Sequence, residues 1–158
     1  MKKLSHKIVK SLSKKNIKIS FAESCTGGLL SSSITSISGS SKIFTLGLIT
    51  YSNNSKISIL KVPKKIIRKH GAVSYESCLS MVKNLSKISK SDISISVTGI
   101  AGPRGGTKEK PVGLVFIGLA KPDGSVMVEK CQFYGTRQQI VERTSNRALD
   151  MLRKAIKR

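Results

Sequence analysis

The segment from residue 17 to residue 38 constrains the fold most, because a strand pattern changes into a helix pattern within it. Residues 17–22 form a short β-type run, and apolar residues then recur at helical spacing. These apolar positions are Leu29, Leu30, Ile34 and Ile37. The pattern predicts a strand, a tight turn that contains Gly27 and Gly28, and a helix over about residues 26–38.

The turn between these two elements favours either a catalytic serine or an ordinary helix cap. The first N–H groups of a helix have no partner inside it and attract an anion. Gly27 and Gly28 lack a Cβ, so a ligand can approach the backbone closely. Ser24 is then a candidate nucleophile held over these N–H groups. Ser24 and Thr26 are also good N-cap residues, so this stretch alone leaves both interpretations open.

A second glycine-rich loop follows a second predicted strand. Residues 92–99 alternate apolar and polar side chains, which indicates a strand. Four glycines lie in the stretch that begins at its end: Gly99, Gly102, Gly105 and Gly106. Two such loops at strand ends form the ligand crevice of an open α/β sheet, so we expect a ligand loop rather than an ordinary surface loop. The spacing matches neither a dinucleotide fingerprint nor a P-loop.

Lys56 is a candidate base. Residues 44–51 predict a largely buried strand, after which Asn53 or Asn54 can cap a helix. Lys56 then falls in the first turn of that helix, where the dipole disfavours a cation. A desolvated lysine there would have a lowered pKa, as a base requires. The alternative is one more surface lysine.

The rest of the chain alternates predicted helices and strands. Ser74 can cap a helix, and Thr136 can cap the last one. Residues 112–120 and 126–133 predict an antiparallel hairpin. The length of 158 residues suits one domain with a single core. We therefore expect one α/β domain over residues 1–158, a three-layer α/β/α fold with a mixed, mostly parallel sheet and a C-terminal hairpin and helix.

The net charge of +21 makes an anionic partner worth considering. The lysines are spread along the chain and aromatic residues make up only 4%, so no stacking platform for single strands is visible. We expect only weak, non-specific and salt-dependent affinity for nucleic acid. The chain has no signal-peptide pattern and no apolar run long enough to span a bilayer, so we expect a cytoplasmic protein with no membrane partner.

The three cysteines, Cys25, Cys78 and Cys131, are far apart and form no CxxC pair. This spacing favours reduced thiols over a disulfide framework or a zinc site. Cys25 is also a candidate reactive thiol, because it lies next to Ser24.

Five motifs together resemble the CinA C-terminal domain family over nearly the whole chain. They are AESCTGG at 22–28, TYSN at 50–53 with Lys56, HGAVS at 70–74, TGIAGP at 98–103 and KPVG at 110–113. Stand-alone members of this family include nicotinamide-nucleotide amidase, also called NMN deamidase or PncC. Longer members carry an additional N-terminal domain, for which we expect no room in this chain.

The resemblance implies a Ser/Lys amidohydrolase that converts nicotinamide mononucleotide (NMN) and water to nicotinate mononucleotide and ammonia, within pyridine-nucleotide salvage. It implies Ser24 as nucleophile, Lys56 as base and Tyr51 as proton relay or donor to departing ammonia. The N–H groups near Thr26 and Gly27 would hold the oxyanion. The resemblance also implies an α/β/α fold, frequent homodimers, no required metal and no cofactor.

The substrate-binding residues expected on this basis lie in the two glycine-rich loops and at the last helix. They are Thr26, Gly27, Gly28, Thr98, Gly99, Gly102, Gly105, Gly106 and Arg137, with Arg137 and the second loop as candidates for the ribose phosphate.

The sequence departs from the family pattern at two places. Arg104 stands where members commonly have an acidic or small residue, which bears on substrate preference. Thr136 replaces an aspartate before Arg137, a mild change because both residue types cap helices. The alternatives are a non-catalytic nucleotide-binding or sensor module of the same fold, and a nucleic-acid binder. The trio of Ser24, Tyr51 and Lys56 favours the enzyme.

Overall fold

The structure is a computed structural model that describes residues 1–157. Within that range there are six α-helices and five β-strands. In chain order, these are α1 (Lys2–Lys15), β1 (Ile19–Glu23), α2 (Leu29–Thr35), a 3₁₀ turn (Ser40–Lys42), β2 (Phe44–Ile49), α3 (Asn53–Ser58), α4 (Lys64–His70), α5 (Tyr75–Ser89), β3 (Ile93–Gly99), β4 (Leu114–Ala120), β5 (Val126–Gln132) and α6 (Arg137–Lys157). No helix in this range has the length and apolar character needed to cross a membrane.

The five strands form one sheet in the order β2-β1-β3-β4-β5. Strand β1 pairs in parallel with both β2 and β3, whereas β4 is antiparallel to both β3 and β5. Four strands therefore run in one direction and only β4 opposes them. This arrangement confirms the predicted mixed, mostly parallel sheet with a C-terminal hairpin, β4–β5, followed by a helix.

Helices cover both faces of the sheet. Helices α1, α2 and α6 pack against one another on one face, and α4 packs with α5 on the other. Successive residues of β1 serve the two faces, because side chains alternate along a strand. Phe21 lies in the core shared with α1, α2 and α6, and Ala22 packs with Met81 and Leu85 of α5. The fold is the expected three-layer α/β/α domain.

Strand β2 differs from its prediction as a largely buried strand. Its side chains alternate between half-buried and exposed, and Ile49 is 54% exposed. The physical reason is its position at the edge of the sheet, where β1 is its only neighbour. An apolar run does not distinguish a central strand from an edge strand.

Helix α2 begins at Leu29, three residues later than expected. Gly27 and Gly28 have φ angles of 58° and 99°, in the left-handed region that breaks a right-handed helix and that glycine adopts readily. The glycines therefore belong to the turn, and Thr26 does not cap the helix.

Helix α3 begins at Asn53, and the cap is Ser52 rather than either asparagine. Ser52 Oγ accepts a hydrogen bond from Ser55 N at 3.0 Å, and Ser55 Oγ accepts one from Ser52 N at 3.1 Å. The predicted caps Ser74 and Thr136 are confirmed, since each accepts a hydrogen bond from the N–H three residues later.

Candidate active site

The candidate site lies where the carboxyl ends of β1, β2 and β3 meet. These three strands are parallel, so the segments that follow them converge at one edge of the sheet. A cavity of about 280 Å³ opens there. It is lined by Ser24, Cys25, Tyr51, Asn53, Lys56, Ala72, Val73, Thr98, Gly99, Ile100, Ala101, Gly102, Arg104, Gly105 and Arg137.

Lys56 and Ser24 form a buried hydrogen-bonded pair inside this cavity. Lys56 Nζ lies 2.8 Å from Ser24 Oγ, although the two residues follow different strands. Lys56 is 1% exposed and Ser24 is 7% exposed. The carbonyl oxygens of Thr50 and Tyr51 lie 2.7 and 3.4 Å from the same Nζ. Among the described residues no carboxylate pairs with Lys56, so its charge has no counter-ion.

Burial lowers the pKa of Lys56 to about 8, and the nearby Cys25 opposes this shift. The predicted contribution of the helix dipole is wrong. Lys56 is the fourth of six residues in α3 and falls in its last turn, so it does not sit at the helix N-terminus. The lowered pKa therefore comes from loss of water around the ammonium group.

The three oxygens around Nζ suit either protonation state. A neutral amine has two N–H donors and one lone pair. Thr50 and Tyr51 carbonyls can accept the two donors, which leaves the lone pair facing the Ser24 hydroxyl. A protonated Lys56 donates to all three oxygens instead. Protonation thus reverses the direction of the Ser24–Lys56 hydrogen bond, and only neutral Lys56 can take the hydroxyl proton.

Cys25 lines the same cavity but does not compete as nucleophile. Burial raises the pKa of its thiol to about 12. The thiolate is the reactive form, so Cys25 stays protonated and weakly nucleophilic at neutral pH.

Tyr51 lines the cavity, but its hydroxyl faces Arg137 rather than the Ser24–Lys56 pair. Arg137 Nη2 donates to Tyr51 Oη at 2.7 Å, and Arg137 Nη1 donates to the Gly102 carbonyl at 2.7 Å. Only the backbone carbonyl of Tyr51 approaches Lys56. Arg137 therefore joins the segment after β2 to the loop after β3, and the expected roles of Tyr51 in proton transfer and of Arg137 in phosphate binding remain predictions.

The N–H groups expected to bind an oxyanion are partly occupied. The Glu23 carboxylate, 0% exposed, accepts from the N–H groups of Gly28, Leu30 and Ser31 at 3.1, 3.0 and 2.8 Å. Gly27 N–H donates to the Ser24 carbonyl at 3.0 Å. The N–H groups of Gly27 and Gly28 therefore already have protein acceptors, and the expected contact of these two residues with the substrate remains a prediction.

Two N–H groups of the turn keep their donor capacity. Within the described residues, the backbone N–H groups of Cys25 and Thr26 have no protein acceptor. They follow Ser24 directly, which is where an oxyanion on an acylated serine needs donors. Thr26 itself does not line the cavity, and its buried hydroxyl has no partner.

The second glycine-rich loop forms the opposite wall. Thr98, Gly99, Gly102 and Gly105 line the cavity as expected, whereas Gly106 does not. A Cβ on Gly106 would lie 2.7 Å from the backbone nitrogen of Val112, so packing requires this glycine. Thr98 Oγ1 donates to the Ala72 carbonyl at 2.8 Å and anchors the wall.

Sequence reasoning missed several lining residues. Asn53 is predicted only as a helix cap, although it belongs to the TYSN motif that also contains Tyr51. Ala72 and Val73 belong to the HGAVS motif, but no binding role is predicted for them. Glu23 has no signal of its own, because a carboxylate before a helix is common on protein surfaces.

Comparison with known proteins places the chain in a family. The model of the CinA C-terminal domain matches residues 1–156. A CinA-like protein of Prochlorococcus marinus subsp. pastoris is 53% identical over 137 residues, which cover 87% of this chain and 32% of that protein. A CinA-like protein of Kosmotoga olearia is 47% identical over 149 residues, with coverage of 94% and 36%. This chain spans about a third of the length of these curated relatives.

Comparison with solved structures agrees with this family assignment. The crystal structure of a competence/damage inducible protein from Agrobacterium tumefaciens superposes with a TM-score of 0.94 at 36% identity. The match covers 99% of this chain and 95% of that one.

Proposed function

We propose that this chain, which belongs to the CinA C-terminal domain family, is a Ser/Lys amidohydrolase that acts on a linear carboxamide, with NMN as its substrate. The observation that carries the proposal is the 2.8 Å contact between Ser24 Oγ and a buried lysine whose pKa is lowered to about 8. A solvated lysine, with a pKa near 10.4, would be almost fully protonated at neutral pH and could not serve as the base.

The first chemical step forms a tetrahedral intermediate on Ser24. The Ser24 hydroxyl proton passes to Lys56 Nζ as Oγ bonds to the carboxamide carbon, and the carbonyl electron pair moves onto its oxygen. The N–H groups of Cys25 and Thr26 are the candidate donors to this oxyanion. A missing donor of this kind typically costs on the order of 100- to 1000-fold in rate.

The second step releases ammonia and restores the serine. The oxyanion collapses, the C–N bond breaks, and the leaving nitrogen takes a proton that Lys56 supplies, either directly or through Tyr51. A water molecule then attacks the ester and gives a proton to Lys56. The resulting tetrahedral intermediate collapses, the bond from the carbonyl carbon to Ser24 Oγ breaks, and Lys56 returns the proton to Oγ. The released carboxylic acid loses its own proton to solvent and leaves as the carboxylate. For NMN, the products are nicotinate mononucleotide and ammonia.

The alternative is a nucleotide-binding or sensor module that uses the same cavity without turnover. The positive charge of the cavity wall is compatible with both the enzyme and the binding module. Arg104 and Arg137 line the cavity, and none of its lining residues is acidic. A pure binding protein does not require a base that contacts a serine, which is why we prefer the enzyme.

The test is ammonia release from purified protein incubated with NMN. We expect turnover by the unaltered chain and loss of at least about 1000-fold in Ser24→Ala, with an unchanged circular dichroism spectrum. Ser32→Ala is the matched control, because Ser32 is exposed on α2 and does not line the cavity. Wild-type turnover by Ser24→Ala would exclude the Ser/Lys mechanism, and absence of turnover in the presence of NMN binding would favour the sensor.

A further inference from the structure

The cavity carries cations without counter-ions on its wall. Its charged lining residues are Lys56, Arg104 and Arg137, and no aspartate or glutamate lines it. A concave surface of one sign concentrates ligands of the opposite sign. The ligand that fits this cavity therefore carries an anionic group, and one of the three cations must be available to bind it.

Two of the three cations already have partners in the protein. Lys56 is buried, and its Nζ contacts Ser24 Oγ and the Thr50 carbonyl. Arg137 uses its two terminal nitrogens on the Tyr51 hydroxyl and the Gly102 carbonyl. These contacts use two of the five guanidinium N–H donors and fix the orientation of Arg137.

Arg104 is different. It lines the cavity, its side chain is exposed, and among the described residues it has neither a hydrogen bond nor an ion pair. Its planar guanidinium can donate two parallel hydrogen bonds to a phosphate, a geometry that lysine cannot reproduce.

The loop that presents Arg104 is anchored on both sides. Ile100 N donates to the Leu114 carbonyl at 2.9 Å, and Gly113 N donates back to the Ile100 carbonyl at 2.7 Å. Beyond Arg104, Thr107 N donates to the Lys110 carbonyl at 2.8 Å. The bonds at Ile100 close the base of the loop, and the Thr107–Lys110 bond forms a turn within it, which limits the backbone entropy lost when Arg104 binds a ligand.

We propose that Arg104 is the specificity-determining residue of this site, and that it binds a phosphate monoester carried by the substrate at the end remote from the carboxamide. This inference rests on the proposed amidase function and assigns the phosphate to Arg104 instead of Arg137. It predicts that the protein discriminates between a nucleotide and the nucleoside that differs only by the missing phosphate.

The experiment compares NMN with nicotinamide riboside at fixed ionic strength. For Arg104→Ala, we expect KM for NMN to rise about 10- to 100-fold, the range for losing a hydrogen bond between charged groups, with kcat unchanged. The kcat/KM for nicotinamide riboside should not change, and Arg104→Lys should give an intermediate KM for NMN. Lys108→Ala is the matched control, because Lys108 is an exposed cation of the same loop that does not line the cavity.

Calorimetric titration of both compounds separates this inference from the proposed function. If the wild type hydrolyses neither compound but Arg104→Ala binds NMN more weakly by the same factor, the amidase proposal fails and the role of Arg104 stands. Equal loss for both compounds, unchanged NMN binding in Arg104→Ala, or no NMN binding by the wild type would each overturn it.

Discussion

At the scale of single residues, the proposed chemistry depends on the protonation of Lys56. With a pKa of about 8, roughly one Lys56 in ten is neutral at pH 7, and about half are neutral at pH 8. Only this neutral fraction has a lone pair for the Ser24 proton. The buried, unpaired ammonium also destabilises the folded state, so we expect both activity and stability to increase as Lys56 loses its proton.

The pH profile tests the base directly. We expect kcat/KM to rise about tenfold per pH unit below pH 8 and to level off above it, because the active form is deprotonated. Lys56→Arg should lose nearly all activity at every pH, since arginine stays protonated. Lys64→Arg, at an exposed position of α4, is the control. Substantial activity in Lys56→Arg would make Tyr51 the next candidate base.

The stability of Lys56→Met tests the cost of burial. The pKa of Lys56 is lower in the folded chain than the ordinary 10.5, so the unfolded chain binds more protons between pH 8 and 10.5 and the wild type gains stability as pH rises through that window. At pH 7 we expect Lys56→Met to unfold with a free energy about 1 to 3 kcal/mol higher than the wild type. Thermal melts should show a smaller difference in stability between Lys56→Met and the wild type at pH 10.5 than at pH 7. A Lys56→Met variant less stable than the wild type at pH 7 would contradict the prediction.

At the scale of elements, the turn between β1 and α2 depends on an internal anion. The Glu23 carboxylate accepts three N–H groups and the Ser31 hydroxyl, the last at 2.6 Å. It occupies the N-terminal turn of α2, where the helix dipole favours negative charge. The turn that carries Ser24 is therefore held in place by a residue that does not line the cavity.

Glu23→Gln should destabilise this turn. An amide offers one acceptor oxygen, and its NH₂ group would face N–H donors, so we expect the free energy of unfolding to fall by about 2 to 3 kcal/mol. Ser31→Ala, which removes one of the four donors, should cost about 1 kcal/mol. Denaturant titration measures both. If Glu23→Gln were as stable as the wild type, the carboxylate would not be organising the turn.

At the scale of the whole molecule, the charge is unevenly distributed along the chain. Glu23 is the only acidic residue among residues 1–75, and it is fully buried. The surface formed by this half of the chain, which includes α1, α3 and α4, therefore exposes cations without carboxylates. Such a surface attracts polyanions in general, but Tyr51 and Tyr75 are the only large aromatic side chains that this part of the chain exposes, which is few for base stacking.

We propose that binding to DNA or RNA is weak and non-specific. Raising the salt from 50 to 200 mM should weaken binding by about 100-fold, the loss for roughly four phosphate contacts. Fluorescence anisotropy with duplexes of unrelated sequence measures this, and all duplexes should behave alike. Tight binding of one sequence at physiological salt would revive a nucleic-acid function.

Much of the secondary structure of this protein, and its family, can be predicted from short stretches of its sequence. Runs of strand type and apolar residues at helical spacing predict most of the strands and helices, and the caps Ser74 and Thr136 follow from residue type. The motifs around Ser24, Lys56 and the second glycine-rich loop placed the family correctly. These features are predictable because helix period, strand period and turn chemistry depend on residues close together in the chain.

Only the tertiary structure decided which groups meet. The sheet order placed β2 at an edge and brought Lys56 within 2.8 Å of Ser24. The tertiary structure also joins Arg137 to Tyr51, 86 positions apart, and leaves Arg104 without a partner among the described residues. Burial, and with it the pKa of Lys56, depends on neighbours distant in sequence, because desolvation is set by the atoms around a group and not by the residues beside it in the chain.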